Sequence, residues 1–311
     1  MHLAEPMSPL KPLLCLGIVT WDMLFKLDEI PTKGIKVPAK DCVEVGGGMS
    51  ASAAVAISRL GGKVHFWGRC GDDPTGDRIS DDLRAEGVDV SNLRRVAGKR
   101  SPVSAILIDR HGERLVVPYY DPTLDPSPAW LPVERIGGYS AVLSDVRWPE
   151  GVEHGLRAAH QAGVLTILDG EVAPPGVVER LARWARHIVF SQPGLLHYGE
   201  VEDRRQALLA ARKRSGAELV GVTAGAQGFY WLDGDDLRHV PSPKVEAVDT
   251  LAAGDVFHGA YGLALTEGKS VAEAGRFACT AAALKCRAFG SRSTAPRRGE
   301  VEAELVISPV I

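Results

Sequence analysis

The chain has 311 residues, 45% hydrophobic and 24% charged, with a formal net charge of −3. That is enough for one large core in a single α/β domain, and with no long Lys/Arg block it argues against nucleic acid or an anionic membrane as partner. Five cysteines without C-x-x-C spacing point to buried, reduced thiols and a cytoplasmic enzyme, not to a disulfide framework.

Residues 1–12 read as a disordered tail. Leu14–Val19 is the first strand: the apolar run from Leu13 is far too short to span a bilayer, and no small-residue cleavage site follows it. Residues 27–44 do not fit a helix–strand alternation and look like an extended ribbon. Short β-branched runs then alternate with helical stretches: helix Met49–Leu60, strand Val64–Gly68, helix Thr75–Glu86. A second ribbon, within residues 101–119, sets Ser104–Asp109 beside Arg114–Tyr119. The alternation resumes with strand Ala141–Asp145, helix Val152–Ala162, strand Leu165–Leu168, helix Val177–Ala185, strand His187–Phe190 and helix Asp203–Arg214. Strands Glu218–Thr223 and Gly228–Leu232 follow. Helices Asp255–Thr266 and Val271–Cys286 come last, the second opened by a Ser270/Glu273 capping box. Such alternation predicts parallel βαβ units and an α/β fold.

Two segments carry chemistry. Asp249-Thr250-Leu251-Ala252-Ala253-Gly254-Asp255 puts small-residue backbone and a carboxylate at a helix start, after the strand-like run Val245–Val248. Helix N-termini have unpaired N–H groups and partial positive charge, so this loop suits a phosphate, with Asp255 facing whatever attacks it. A tight turn capped by Asp255 is the plainer alternative. Val222-Thr223-Ala224-Gly225-Ala226-Gln227-Gly228 follows an apolar strand, and its glycines allow either close approach of a ligand or a tight hairpin. Gly262, Gly268, Lys269 and Ser270 miss the spacing of a P-loop and follow a helix instead of a strand.

Asp249–Asp255 resembles the C-terminal signature Asp-Thr-x-Gly-Ala-Gly-Asp of the ribokinase-like (PfkB) carbohydrate kinases, with Ala252 replacing the first glycine. Val45-Gly46-Gly47-Gly48-Met49-Ser50-Ala51-Ser52-Ala53-Ala54, then Leu60-Gly61-Gly62 and Gly68-Arg69-Cys70-Gly71-Asp72-Asp73-Pro74-Thr75-Gly76, resembles the N-terminal signature. Two signatures in order, about 200 residues apart, are specific as a pair. The resemblance spans Leu13 to Pro296. It implies a three-layer α/β/α sandwich with a small β-sheet lid: one kinase domain over 13–311, lid segments near 27–44 and 101–119, and a homodimer contact through the lid. It further implies an ATP-dependent sugar kinase that uses Mg²⁺, with K⁺ bound beside the anion hole in many relatives.

On the matching positions, Asp255 would be the catalytic base. Ala252, Ala253 and Gly254, with the Asp255 N–H, would form the anion hole. Thr223, Gly225 and Gly228 would lie along the ATP phosphates, with the adenine pocket near residues 281–292. Asp22, Gly47 and Gly48 would meet the sugar. The family's Asn-x-x-Glu motif, which organises Mg²⁺ through water, is replaced by Ser191-Gln192-Pro193-Gly194, so no metal ligand is assigned. Asp145-Val146-Arg147-Trp148, Leu168-Asp169-Gly170 and residues 255–260 with Ala283-Leu284-Lys285-Cys286 resemble the 6-deoxy-6-sulfofructose kinases. In that branch a lid lysine and an arginine after a central strand grip the sulfonate. Lys36 and Arg147 match them, whereas Pro118 stands where the branch has an asparagine. The expected substrate is therefore an anionic ketose such as sulfofructose or a ketose phosphate. Fructokinase, 2-keto-3-deoxygluconate kinase and a non-catalytic sugar- or nucleotide-binding homologue are the alternatives. His258, one helical turn after Asp255, either faces the substrate or packs beneath the lid.

Overall fold

The computed structural model describes residues 11–307, so the tail expected over 1–12 lies outside them except for Lys11 and Pro12. Those two are tied down: the Pro12 carbonyl accepts from Ser140 N at 2.9 Å, and Lys11 Nζ donates to the Gly137 carbonyl at 3.0 Å.

The chain enters the middle of a large sheet as β1 (Leu13–Leu16) and leaves it for a separate small sheet through β2 (Thr20–Lys26) and β3 (Asp41–Gly47). α1 (Met49–Arg59), β4 (Val64–Gly71), α2 (Pro74–Ala85) and β5 (Asp89–Val96) rejoin the large sheet, and β6 (Val103–Ile108) and β7 (Arg114–Tyr119) complete the small one. β8 (Ala141–Ser144), α3 (Pro149–Gln161), β9 (Leu165–Gly170), α4 (Val177–Ala182) and β10 (His187–Ser191) then wind outward on the other side of β1. They are followed by α5 (Gln192–Gly199), α6 (Arg204–Ser215), β11 (Leu219–Thr223) and the edge hairpin of β12 (Phe229–Asp233) and β13 (Asp236–Val240). α7 (Ala253–Thr266), α8 (Val271–Lys285) and α9 (Arg298–Ile307) end the described chain.

The large sheet runs β13-β12-β11-β10-β9-β8-β1-β4-β5, parallel from β11 to β5. Parallel strands need both faces covered, and β1 and β8 are buried at every position. Leu13 and Cys15 pack with the helices α1, α7 and α8, while Leu14 and Leu16 pack with α3, α4 and α6. That makes three layers. The small sheet, ordered β3-β2-β6-β7, is the lid.

Three expectations need correction. The first lid strands are Thr20–Lys26 and Asp41–Gly47, and residues 27–40 are the loop between them. Pro31 and Pro38 lack ladder donors, whereas residues 20–26 bury alternate side chains. Val245–Val248 forms no strand; its Val248 N–H donates to the Cys286 carbonyl at 2.8 Å. Cys42 is exposed, although Cys15, Cys70, Cys279 and Cys286 are buried.

β1 neighbours β4 on one side and β8 on the other, and the chain winds away from it in both directions. A crevice therefore opens outside the carboxyl ends of these strands, the usual ligand position in open α/β sheets.

Candidate active site

A cavity of about 160 Å³ lies at that crevice, between the lid and the start of α7. Its lining brings together Asp22, Gly48, Arg147, Ala252 and Asp255, all expected from the sequence. Ser104 and Tyr120 join them without having been expected, as does Ser291, which lies in the stretch expected to border adenine. Lys36 is not part of the lining; it sits exposed on the 27–40 loop.

At the lid side Asp22 projects from β2 and accepts from Thr20 Oγ1 at 2.8 Å. Burial pushes its carboxyl up, offset by hydrogen bonds from Thr20 and Ser104 and by the Arg292 charge. A Cβ at Gly47 would collide with the Asp22 carboxylate, so glycine is what lets the β3 backbone pass. Gly48 has φ 92°, and a side chain there would run into the Ile18 carbonyl. Beneath them Asp145 is fully buried and accepts from Ile18 N (2.8 Å), Ser50 N (3.1 Å) and Arg147 N (2.8 Å). One carboxylate thus fixes three segments that bear on the cavity. The side chain of Arg147 makes no ion pair among the described residues and lies exposed at the cavity mouth.

At the other wall, Ala252 is the N-cap of α7 and adopts the left-handed conformation, φ 62° and ψ 7°. The departure from glycine is therefore borne as strain, on the order of 1 kcal/mol. Asp255 sits in the first turn of α7, so it is not the cap. Of the donors expected for the anion hole, Ala253 N–H turns back to the Thr250 carbonyl at 3.3 Å. The Gly254 and Asp255 N–H groups, in the first turn, have no backbone acceptor among the described residues. Asp255 is pushed up to about 8, by burial first and by the Asp169 carboxylate next, with His258 pulling it down. His258 is buried under this turn, against β10, and is not part of the cavity lining. Its Nδ1 lies 2.8 Å from the Gly254 carbonyl and its Nε2 3.0 Å from that of Val189.

Thr223, Gly225 and Gly228 lie apart from this cavity, at the end of β11 on the same carboxyl edge. Gly225 (φ 53°) and Gly228 (φ 95°) make the turn possible. Next to it, Ser191 caps α5 and donates from Oγ to Glu171 Oε1 at 3.0 Å. The stretch expected to border adenine turns partly elsewhere. Ser291 faces the cavity, and Arg292, 1% exposed, binds Asp82 and the Gly47 carbonyl. Among the described residues no group of three or more His, Cys, Asp or Glu side chains could hold a metal ion.

A carboxylate and N–H groups at a helix start, beside a cavity at a sheet's carboxyl edge, are the kind of arrangement that phosphoryl transfer uses. The family profile described as pfkB family carbohydrate kinase matches residues 11–298, and the chain belongs to that family. It is an ATP-dependent sugar kinase. It is 31% identical to a ribokinase of Bacillus subtilis, covering 92% of this chain and 97% of the relative. To a rice fructokinase-1 it is 29% identical, covering 88% and 93%. A crystal structure from Agrobacterium tumefaciens, provisionally named a ribokinase, superposes with TM-score 0.91 at 42% identity, over 96% of this chain and 98% of that one. No helix among the described residues is long and apolar enough to cross a membrane.

Proposed function

We propose that this kinase phosphorylates an anionic ketose, 6-deoxy-6-sulfofructose or a ketose phosphate, and that Arg147 receives the anionic group. The observation that carries this is the Arg147 guanidinium, without an ion pair among the described residues, at the mouth of the cavity that holds Asp22 and Asp255. Asp22 and the backbone at Gly47 and Gly48 take the sugar hydroxyls. Asp255 removes the proton from the attacking hydroxyl as its oxygen bonds to the γ-phosphorus and the bond to the β-phosphate bridge breaks, releasing ADP. The Gly254 and Asp255 N–H groups stabilise charge on the migrating phosphoryl, and the helix start supports both. The turn at Thr223, Gly225 and Gly228 carries the ATP phosphates. The donor set suits a Mg²⁺ held mainly by nucleotide oxygens and water, with Glu171 beside Ser191 as the acidic side chain at hand. When bound, the ion would neutralise phosphate charge.

The names of its relatives favour a second reading, a neutral sugar such as ribose or fructose. A comparison of kcat/KM for ribose, fructose, fructose 6-phosphate and sulfofructose separates the two, in wild type and in Arg147→Ala. One charge-assisted contact is worth roughly 1.5–3 kcal/mol, so the variant should lose on the order of 10 to 100-fold on the anionic substrates and little on the neutral ones. A wild-type preference for a neutral sugar, or equal losses on all four, would overturn the anionic assignment. We also propose a cytoplasmic homodimer formed through the lid.

A further inference from the structure

The last residue of α8, Lys285, is fully buried, and its ammonium is spent inside the protein. Nζ donates to the Asp249 carbonyl at 2.6 Å and stands 3.2 Å from Asp249 Oδ2. Asp249, itself 1% exposed, holds two loops with the same carboxylate. Oδ1 accepts from Leu251 N at 2.8 Å, in the turn that ends in Ala252. Oδ2 accepts from Gly290 N (3.1 Å) and Ser291 N (2.8 Å). Leu251, Ala252 and Ser291 all line the cavity. The backbone ties of the same two loops run from Val248 N and Asp249 N to the Cys286 carbonyl. A carboxylate this deep is stabilised by a cation beside it, and a carbonyl next to a carboxylate is an oxygen set that suits an alkali ion. Here a covalently attached ammonium already takes both oxygens.

We infer that Lys285 is a built-in monovalent cation: it holds the anion-hole loop in place as a positioning residue and makes the enzyme independent of K⁺. The K⁺ expected beside the anion hole from the family resemblance does not fit this chain, because the Lys285 ammonium occupies the Asp249 oxygens. The inference rests on the kinase reading and concerns how its anion hole is held. Burial holds the Lys285 amine below its ordinary range, and the neighbouring Asp249 carboxylate offsets only part of that. The carboxylate beside it accepts from three backbone N–H groups and favours the charged ammonium as its partner.

The test uses the full-length protein at constant ionic strength. Wild-type turnover with the best sugar of the panel, and its Tm, are measured in K⁺, Na⁺ and the bulky tetramethylammonium. Rates should agree within about twofold and Tm within about 1 °C, since a bound ion would stabilise the folded state by mass action. Lys285→Met removes the charge at similar length. We expect kcat to fall about 10-fold or more while KM for ATP changes less, and we expect added K⁺ or methylammonium to restore both kcat and Tm. A K⁺-specific rise in wild-type rate or Tm would overturn the inference. So would a folded Lys285→Met that keeps full activity without small cations, or one whose lost activity no small cation restores. If Lys285→Met does not fold, the wild-type cation series alone decides. If no sugar supports ATP consumption, the substrate reading fails, while the Tm series still reports on Lys285.

Discussion

Asp255 is the residue we propose as the base, and its environment pulls in two directions. A base must be ionised, yet burial and the Asp169 charge raise Asp255 from the ordinary 3.8 to about 8. Asp255→Asn should therefore lower kcat at least ~10²-fold, a typical general-base contribution, and wild-type kcat/KM should climb with pH through a limb near 8. Stability moves the other way. A carboxyl raised in the folded state contributes stability that is present in full below about pH 4 and is lost as pH rises through about 8. Urea unfolding at pH 5, 7 and 9 should thus show Asp255→Asn gaining on wild type as pH rises, by more than about 1 kcal/mol at pH 9, since a tenfold change in a proton-binding equilibrium is worth about 1.4 kcal/mol. A flat difference across that range would remove the buried-carboxylate account. Near-normal turnover in the variant would remove Asp255 as the base.

The turn before α7 shows what a local departure from a signature does. Ala252 stands where the resemblance has glycine and still adopts φ 62°. Ala252→Gly should relieve strain of about 1 kcal/mol in the native state, less the roughly 0.5–1 kcal/mol of extra chain entropy that glycine brings to the unfolded state. Thermal unfolding of that variant should show a Tm equal to or slightly above wild type, with kcat retained; a clear drop in Tm would mean that the alanine methyl packs favourably. Signals of this kind were legible in sequence because they are local: glycines at forced φ, the Ser270/Glu273 capping box, and the buried runs of the central strands. Elements defined by their neighbours were not. β5 (DVSNLRRV) lies at an outer edge of the sheet and has no clean apolar period, and β13 forms the other edge with four of its five residues exposed. Conversely, Val245–Val248 is short and mostly apolar like a strand, yet it pairs with no strand among the described residues. Of the residues lining the cavity, Asp22, Gly48, Arg147, Ala252 and Asp255 could be found by motif. The contributions of Asp145, Ser291 and Lys285 depend on contacts between segments more than 30 residues apart.

At the scale of the whole molecule, the lid leaves one face uncovered. Val116 lines the cavity, so its neighbours Leu115, Val117 and Tyr119 point to the opposite face of β7, where they are 46%, 57% and 39% exposed. The register extends this face across the sheet: Val117 pairs with Ala105 and Ala105 with Met23, and Leu115 pairs with Leu107 and Leu107 with Phe25. An apolar sheet face ending in an exposed edge strand is an invitation to association, and a second copy of the same lid would cover it symmetrically. The inner face of that sheet carries Asp22 and Ser104 into the cavity, so whatever steadies the lid also steadies the end of the cavity proposed for the sugar. Val117→Asp places an unpaired charge at the end of the Met23–Ala105–Val117 row, where burial in an interface would desolvate it. In sedimentation experiments the wild type should run as a dimer and Val117→Asp as a monomer. The variant should also show a raised KM for the sugar at unchanged affinity for ATP, because the turn at Gly225 and Gly228 that we propose for the nucleotide lies outside the lid. A wild type that sediments as a monomer at micromolar concentration, or a Val117→Asp variant that remains dimeric, would place the contact elsewhere.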